Sequence, residues 1–453
     1  METIAGIATP PGEGGIAIIR ISGDDAISIA SRIFRPRNKN RTIEDAKGYT
    51  AIFGTAVDGE TELDEAVALI FRAPKSYTGE DEVEIQCHGG NIAPKSILRA
   101  AFKEGARPAD RGEYTKRAFL NGRISLTEAE AVAEMISAQS SQGERAALSL
   151  MKGSLYRKAE EMKAKLITAE ANISAAIEFP DEAPDIDPDE ITAILADTRS
   201  GLETLLRNYS TGLAVMRGVP VVIAGSPNVG KSTIMNLLSG TDRAIVSPTA
   251  GTTRDVIEST IDCDGITLFL SDTAGIRETE DAAEAEGVRR AIEKVSDTAL
   301  LIAVFDQSKP LDDGDRRLLE IAEGIPSVAI INKSDLENRI EVDEIKARFG
   351  EVITISAIDE NSRDEIVKAV HNAIGVNGLS PDAGLLVSER QRSCVERGLD
   401  AVNEAIRAIE DGITYDAVHV LIGDAIEALA ELSGENVTEE VLNDVFSRFC
   451  VGK

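Results

Sequence analysis

The octapeptide Gly225-Ser226-Pro227-Asn228-Val229-Gly230-Lys231-Ser232 follows an apolar, valine-rich run at 219–224 and precedes a helical pattern beginning at Lys231. Strand, glycine-rich turn and helix in that order form a phosphate-loop pattern, which commits the middle of the chain to a strand–helix domain. The glycines let backbone N–H groups turn inward around phosphate oxygens, and the helix N-terminus adds the positive end of its dipole. Lys231 is placed to reach the outer phosphates, and Ser232 offers a hydroxyl to Mg²⁺. Runs at 298–305, 328–331 and 352–355 read as further buried strands with helical patterns between them, and Asp264-Gly265 sits as a hairpin turn between runs at 257–263 and 267–270. Strands alternating with helices predict a mostly parallel, doubly wound sheet.

Four further motifs follow the loop in chain order. Thr252-Thr253 lies in a Gly-containing segment, with Thr253 a candidate second metal hydroxyl, and Asp272-Thr273-Ala274-Gly275 offers a carboxylate to the metal and a glycine N–H to the γ-phosphate. Asn332-Lys333-Ser334-Asp335 ends another strand. An Asp there can accept hydrogen bonds from guanine N1 and N2, which adenine cannot give, so the expected base is guanine. Ser356-Ala357 fits the loop bordering the base. Many Ras-like GTPases place Gln after Asp-x-x-Gly to orient water; here Ile276 stands there, and no single Arg identifies itself as a finger.

Outside this segment the N-terminal part alternates apolar runs (16–21, 66–71, 83–87) with helical patterns (26–34, 93–103), which predicts an α/β or α+β domain. From 127 to 179 Ala, Glu, Leu and Lys dominate, and apolar spacings of three and four predict helices, with a capping-box signal at Thr127 to Glu130. After a Pro- and Asp-rich break at 179–188 a helix runs to about 209, and helices return at 388–410, 415–432 and 439–449. A chain of 453 residues holds more than one core. Its four cysteines, without Cys-x-x-Cys spacing, suit a reducing cytosol rather than a disulfide framework or zinc site. No signal peptide or membrane-length apolar run is evident, so a soluble cytoplasmic protein is expected. The formal charge of −30 opposes a nucleic-acid-coated protein, yet residues 1–120 carry 16 Lys+Arg against 18 Asp+Glu, a net of −2. Arg32, Arg35, Arg37, Lys39 and Arg41 cluster there, as an RNA contact or as a solvated basic loop.

Together with Ala8-Thr9-Pro10-Pro11-Gly12, Arg20-Ile21-Ser22-Gly23, Tyr77-Thr78-Gly79-Glu80-Asp81, His88-Gly89-Gly90, Phe119-Leu120-Asn121-Gly122, Phe179-Pro180-Asp181-Glu182, Gly251-Thr252-Thr253-Arg254-Asp255 and the terminal Phe449-Cys450-Val451-Gly452-Lys453, these motifs resemble the bacterial and organellar tRNA modification GTPase family, MnmE or TrmE, over essentially the whole chain. The resemblance implies an α/β plus all-α architecture. It comprises an N-terminal α/β dimerisation and folate-binding domain (1–118), a discontinuous helical domain (119–213 and 378–453) and an inserted Ras-like P-loop G domain (214–377).

It also implies site residues. GTP or GDP would meet Asn228, Val229, Gly230, Lys231, Ser232 and Thr233, then Ser247, Pro248, Thr249, Ala250, Gly251, Thr252 and Thr253. Asp272, Thr273, Ala274, Gly275, Asn332, Lys333, Asp335, Ser356 and Ala357 complete the set. Mg²⁺ would be held by Ser232 and Thr253, and K⁺, in place of an arginine finger, by Asn228, Ser247, Thr249 and Thr252, with two G domains meeting across that site and Glu284 positioning water. A 5-formyltetrahydrofolate-type cofactor would be held by Arg20, Glu84, Arg123 and Lys453, Arg123 standing where some members carry Lys. A homodimer is implied, joined in a heterotetramer by a flavin-dependent partner (MnmG or GidA) that adds an aminomethyl or carboxymethylaminomethyl group at C5 of the wobble uridine of certain tRNAs. Cys450 is either a nucleophile toward that ring or a buried thiol. Two rival readings are a ribosome-assembly GTPase switching on RNA and a folate-dependent methyl- or formyltransferase with a regulatory G domain. Against the first, residues 378–453 are acidic and helical where such proteins append a basic domain.

Overall fold

The computed structural model describes residues 2–179, 187–239, 257–271, 300–377, 380–450 and 452. Contacts divide the chain into two compact units, 1–133 with 433–453, and 134–432. The C-terminal stretch from Ser433 thus clusters with the N-terminal unit.

Among the described residues of the first unit, strands β1 (Ile4–Ile7), β2 (Ile16–Ser22), β3 (Phe34–Pro36), β4 (Thr50–Asp58), β5 (Thr61–Phe71), β6 (Glu82–His88) and β7 (Arg107–Pro108) form one sheet in the order β3-β4-β5-β6-β2-β1-β7. Its pairs are antiparallel except β1 with β7. Successive side chains of a strand point to opposite faces. Ile19 and Ile21 of β2, Val83 and Ile85 of β6, and Ala68 and Ile70 of β5 therefore share the face covered by helices Ala26–Ile33 and Ala93–Lys103, where they are buried in one core. The same alternation sends Arg20, Glu82 and Glu84 to the other face.

Helix Glu113–Leu120 packs against the C-terminal helix Glu439–Ser447. The approach is close at Gly112, which has φ +66° and where a Cβ would stand 2.7 Å from the Phe446 carbonyl oxygen, so both the conformation and the space call for glycine. The next helix, Leu126–Ser137, is capped two residues before the expected Thr127. The box is Ser125 with Glu128: the Glu128 amide donates to Ser125 Oγ (3.2 Å) and the Ser125 amide to Glu128 Oε2 (2.6 Å). Ser-x-x-Glu satisfies the same rule as Thr-x-x-Glu, and the earlier match takes the helix start.

In the second unit, β8 (Val219–Ala224), β9 (Ile257–Cys263), β10 (Ile266–Ser271), β11 (Leu300–Asp306), β12 (Ser327–Asn332) and β13 (Glu351–Thr354) form a sheet ordered β13-β12-β11-β8-β10-β9. It is parallel except for β9, which forms the hairpin with β10. Asp264 and Gly265 hold that turn with φ +48° and +89°, the positive values that a two-residue hairpin of this hand needs. The central strand β11 is buried along its whole length, which explains its uninterrupted apolar sequence.

Helices on either side of this sheet in sequence pack with each other. Glu389–Glu410 lies against Pro188–Arg207, which in turn meets Ser154–Glu178. Thr267 Oγ1 of β10 donates to the Gln139 carbonyl (2.9 Å) just before helix Ser141–Met151, and Thr211 Oγ1 in helix Tyr209–Arg217 donates to the Ile374 carbonyl (3.0 Å) at the end of helix Ser362–Ile374. Among the described residues no helix is long and apolar enough to cross a membrane. Ile302, fully buried in β11, tests the independence of the two cores. Ile302→Ala should destabilise the second unit by about 2–5 kcal/mol in urea unfolding and leave a probe in the first unit unmoved.

Candidate functional site

The phosphate loop leaves β8 at Gly225 and enters helix Lys231–Ser239. Its shape is enforced from below. A Cβ at Gly225 would overlap the Val304 carbonyl of β11, and one at Gly230 would overlap the Asn332 amide; both glycines have positive φ. Asn228, also left-handed at φ +65°, is exposed at the tip with Ser232 and Thr233, while Val229 is buried. The Lys231 ammonium folds back to donate to the Gly225 carbonyl.

Asn332, at the end of β12, is 3% exposed and joins three segments. Its Nδ2 donates to the Val229 carbonyl in the phosphate loop (2.8 Å), and its Oδ1 accepts from the Ala357 amide (2.9 Å) beyond β13. Ser356 Oγ donates to Asp335 Oδ1 at 2.6 Å, so the expected base-reading carboxylate and the expected base-bordering loop touch. The structure thus gathers Asn228, Val229, Gly230, Lys231, Ser232, Thr233, Asn332, Lys333, Asp335, Ser356 and Ala357 at the carboxyl ends of β8, β12 and β13, where open parallel sheets hold ligands. Inward-facing loop amides and the helix start can hold phosphate oxygens, and Asp335 can read a base edge. Ser247, Pro248, Thr249, Ala250, Gly251, Thr252, Thr253, Asp272, Thr273, Ala274, Gly275 and Glu284 lie outside the described residues.

Several neighbours carried no motif signal. Asp306, 5% exposed at the end of β11, pairs with the Lys333 ammonium at 2.6 Å. Ser226 Oγ donates to Asp315 Oδ1 (3.0 Å) at the capped start of helix Asp313–Ile321. Burial pushes the Asp315 carboxyl up, against the Ser226 hydrogen bond. The available signal was a carboxylate ending an all-apolar run at the ligand end of a parallel sheet, which Asp306 satisfies.

The second candidate region lies on the first unit's other sheet face, where it is largely buried. Arg20 and Glu84 are register partners on β2 and β6, and the Arg20 guanidinium meets Glu84 Oε1 through Nε (2.9 Å) and Nη2 (2.7 Å). It also faces Glu82 at 3.3 Å and lies 5.4 Å from the ring centroids of both Tyr77 and Tyr114. Burial holds the Glu82 carboxyl above the usual range, Arg20 opposing and Glu84 reinforcing the shift. Glu82 was not read from the sequence, although its alternation with Val83, Glu84 and Ile85 was the available signal.

Arg117, buried, pairs with Glu80 (2.9 Å) and Glu113 (3.0 Å) nearby. The Arg123 stem is among the nearest atoms to Gly79 in the Tyr77–Asp81 motif, at 3.2 Å from a Cβ built there. Cys450 is exposed, whereas Cys87, Cys263 and Cys394 are buried, with thiols pushed up by burial, to about 11 for Cys87 and about 12 for Cys263. Lys453 lies outside the described residues. Among the described residues no cluster of His, Cys, Asp and Glu forms a metal cage.

A phosphate loop, an Asn-Lys-x-Asp segment and a mostly parallel sheet make the second unit's nucleotide-binding half a Ras-like P-loop G domain. Residues 126–450 match the family model described as MnmE helical domain, and residues 3–123 match that of the GTP-binding protein TrmE N-terminus. Proteins called tRNA modification GTPase MnmE are similar along the whole chain. That of Syntrophus aciditrophicus is 38% identical over 455 residues, and those of Symbiobacterium thermophilum and Moorella thermoacetica are 39% identical over 457 and 466 residues. Each alignment covers 100% of this chain and 99% of the relative. Among solved structures, the G domain of the T. maritima FeoB iron transporter aligns with 34% of this chain and 98% of its own at 24% identity, with a TM-score of 0.26, too low to carry an argument.

The chain belongs to the MnmE (TrmE) family of tRNA modification GTPases. It is a GTP hydrolase involved in tRNA modification, and such GTPases work with Mg²⁺.

The buried ion cluster makes a pH-dependent prediction. Arg20→Met removes the cation opposite Glu82 and should cost about 3–5 kcal/mol near neutral pH. Glu82 is then relieved by taking a proton, because burial already raises its carboxyl above the usual range and Arg20 no longer opposes that shift. The deficit relative to the parent chain should therefore shrink as pH falls through the carboxylate range and grow as it rises. Urea unfolding followed across that range measures it.

Proposed function

We propose that this chain hydrolyses GTP in a K⁺-stimulated reaction activated by association of the G domains of two subunits. In this reading it uses that cycle, with a flavin-dependent partner, to direct addition of an aminomethyl or carboxymethylaminomethyl group to C5 of the wobble uridine of certain tRNAs. The observation that carries the reading is the convergence of the phosphate loop and the Asn332–Asp335 segment on one sheet edge, joined through Asn332. Phosphates would lie on the loop amides and Lys231, with guanine against Asp335, Ser356 and Ala357. Ser232 and Thr253 would hold Mg²⁺, which supplies positive charge beside the phosphates.

Asn228, exposed and left-handed at the loop tip, would hold K⁺ with Ser247, Thr249 and Thr252. The cation would supply the charge that an arginine finger gives other GTPases. Glu284 would orient the attacking water, the role left open by Ile276.

In the first unit, the Arg20–Glu84 cluster would hold a tetrahydrofolate-type ligand. Glu84 is a carboxylate suited to a pterin amino edge, and Arg20 is held beside it by two hydrogen bonds. Arg123 and Lys453 would take the ligand's carboxylates, and the bound folate would supply the one-carbon unit. The exposed Cys450 thiol is available to act on the uridine ring.

Steady-state GTP hydrolysis in KCl against NaCl at matched ionic strength tests the mechanism. The reading expects strong stimulation by K⁺ alone, and near-complete loss in Glu284→Ala with GTP binding kept. Equal rates in both salts would remove the cation from the mechanism, and normal turnover in Glu284→Ala would remove that residue.

A further inference from the structure

The Asn332–Asp335 segment is held in a conformation that its own sequence does not favour. Lys333 has φ +65°, the left-handed region that L side chains avoid, at a cost on the order of 1 kcal/mol or more. Such a residue persists where its surroundings over-determine it. The surroundings here are the last residue of β11 and the two that follow it.

Asp306 Oδ2 accepts from the Lys333 ammonium at 2.6 Å, and Asp306 Oδ1 accepts from the Ser308 amide (3.0 Å) and hydroxyl (2.7 Å). Both carboxylate oxygens are therefore occupied and the group cannot swing. Gln307, next in sequence, ties the same two segments again. Its amide donates to the Asn332 carbonyl (2.9 Å), its Nε2 to the Leu336 carbonyl (3.1 Å), and its own carbonyl accepts from the Arg339 amide (2.8 Å).

We propose that Asp306 is a positioning residue for guanine recognition: oriented by Ser308, its carboxylate pins the Lys333 ammonium and so holds the left-handed turn that sets Asp335. The proposal rests on the reading of Asn332–Asp335 as the base-reading segment. Asp306 itself does not touch the nucleotide in this account. Its carboxyl lies below the usual range; burial opposes that shift, and the bonds from Lys333 and Ser308 outweigh it. The pairing therefore favours the ionised carboxylate. An ion pair with both oxygens satisfied belongs to the strong class of hydrogen bonds, so its loss should be visible in affinity.

The test is a double-mutant cycle on the full chain, with GDP affinity by calorimetry and kcat for GTP measured side by side. Asp306→Asn keeps the shape and the Ser308 bonds but removes the charge, and should weaken GDP by about 10-fold with kcat at saturating GTP unchanged. Lys333→Ala should also weaken GDP, and the double variant should bind no more weakly than Lys333→Ala alone. Ser308→Ala, which removes the hydroxyl bond to Oδ1 and keeps the amide bond, should shift affinity the same way by less, and stands in if Asp306→Asn does not fold.

A merely structural Asp306 would lower the unfolding temperature and leave GDP affinity at the parent value, overturning the proposal. Additive losses in the cycle would overturn it too, since Asp306 would then act by a route other than Lys333. If Lys333→Ala binds GDP like the parent, the reading of the segment falls and the proposal with it. Weak binding in Lys333→Ala beside parent affinity in Asp306→Asn removes Asp306 alone.

Discussion

One buried amide holds the nucleotide half of this molecule together. Asn332 donates to the phosphate loop at Val229 and accepts from Ala357, so the ends of β8, β12 and β13 are fixed to one another through a single side chain. Buried polar groups are costly unless paired, and here each partner would be left open by the loss of the other. The glycines of the loop follow from this arrangement: Gly230 leaves room for the Asn332 amide, and Gly225 for the β11 backbone. The parallel sheet beneath, with β11 apolar up to Asp306 at its end, supplies a rigid platform at whose carboxyl edge the chemistry stands.

The first unit solves a different problem. One face of its sheet is closed by two helices and needs only apolar residues, and the other carries Arg20 with two carboxylates and two tyrosines. A guanidinium shared between Glu82 and Glu84 remains compensated if one of them turns to another partner. The acidic excess of the chain does not extend to this unit's sequence, where positive and negative groups nearly balance over residues 1–120. Many of those groups are paired locally, as Arg107 with Glu113 and Arg117 with Glu80 show.

What could be read from the sequence was local. The phosphate loop announces itself because glycine spacing, a buried strand and a helix start are adjacent in the chain, and the Asp264-Gly265 hairpin follows from two residues that tolerate positive φ. The pairing of Arg20 with Glu84 depends on the register of β2 against β6 across 64 residues, which no periodicity reveals. β1, β3 and β7 are too short to show a pattern, and β4 hides behind Thr, Gly and Ala. Ser125 rather than Thr127 caps its helix because both fit the rule and the earlier match takes the helix start. Asp306 belongs to no motif for a related reason: its partner is a lysine 27 residues away, at a neighbouring strand end.

The central claim is that the strand-end constellation around Asn332 reads guanine through Asp335. The most direct measurement is the affinity of Asp335→Asn for GDP and for xanthosine diphosphate, by calorimetry on the full chain. Exchanging the carboxylate for an amide removes the acceptor for guanine N2–H and supplies a donor for the xanthine oxygen, so preference should move from guanine to xanthine. Guanine selectivity kept at the parent level would contradict the account.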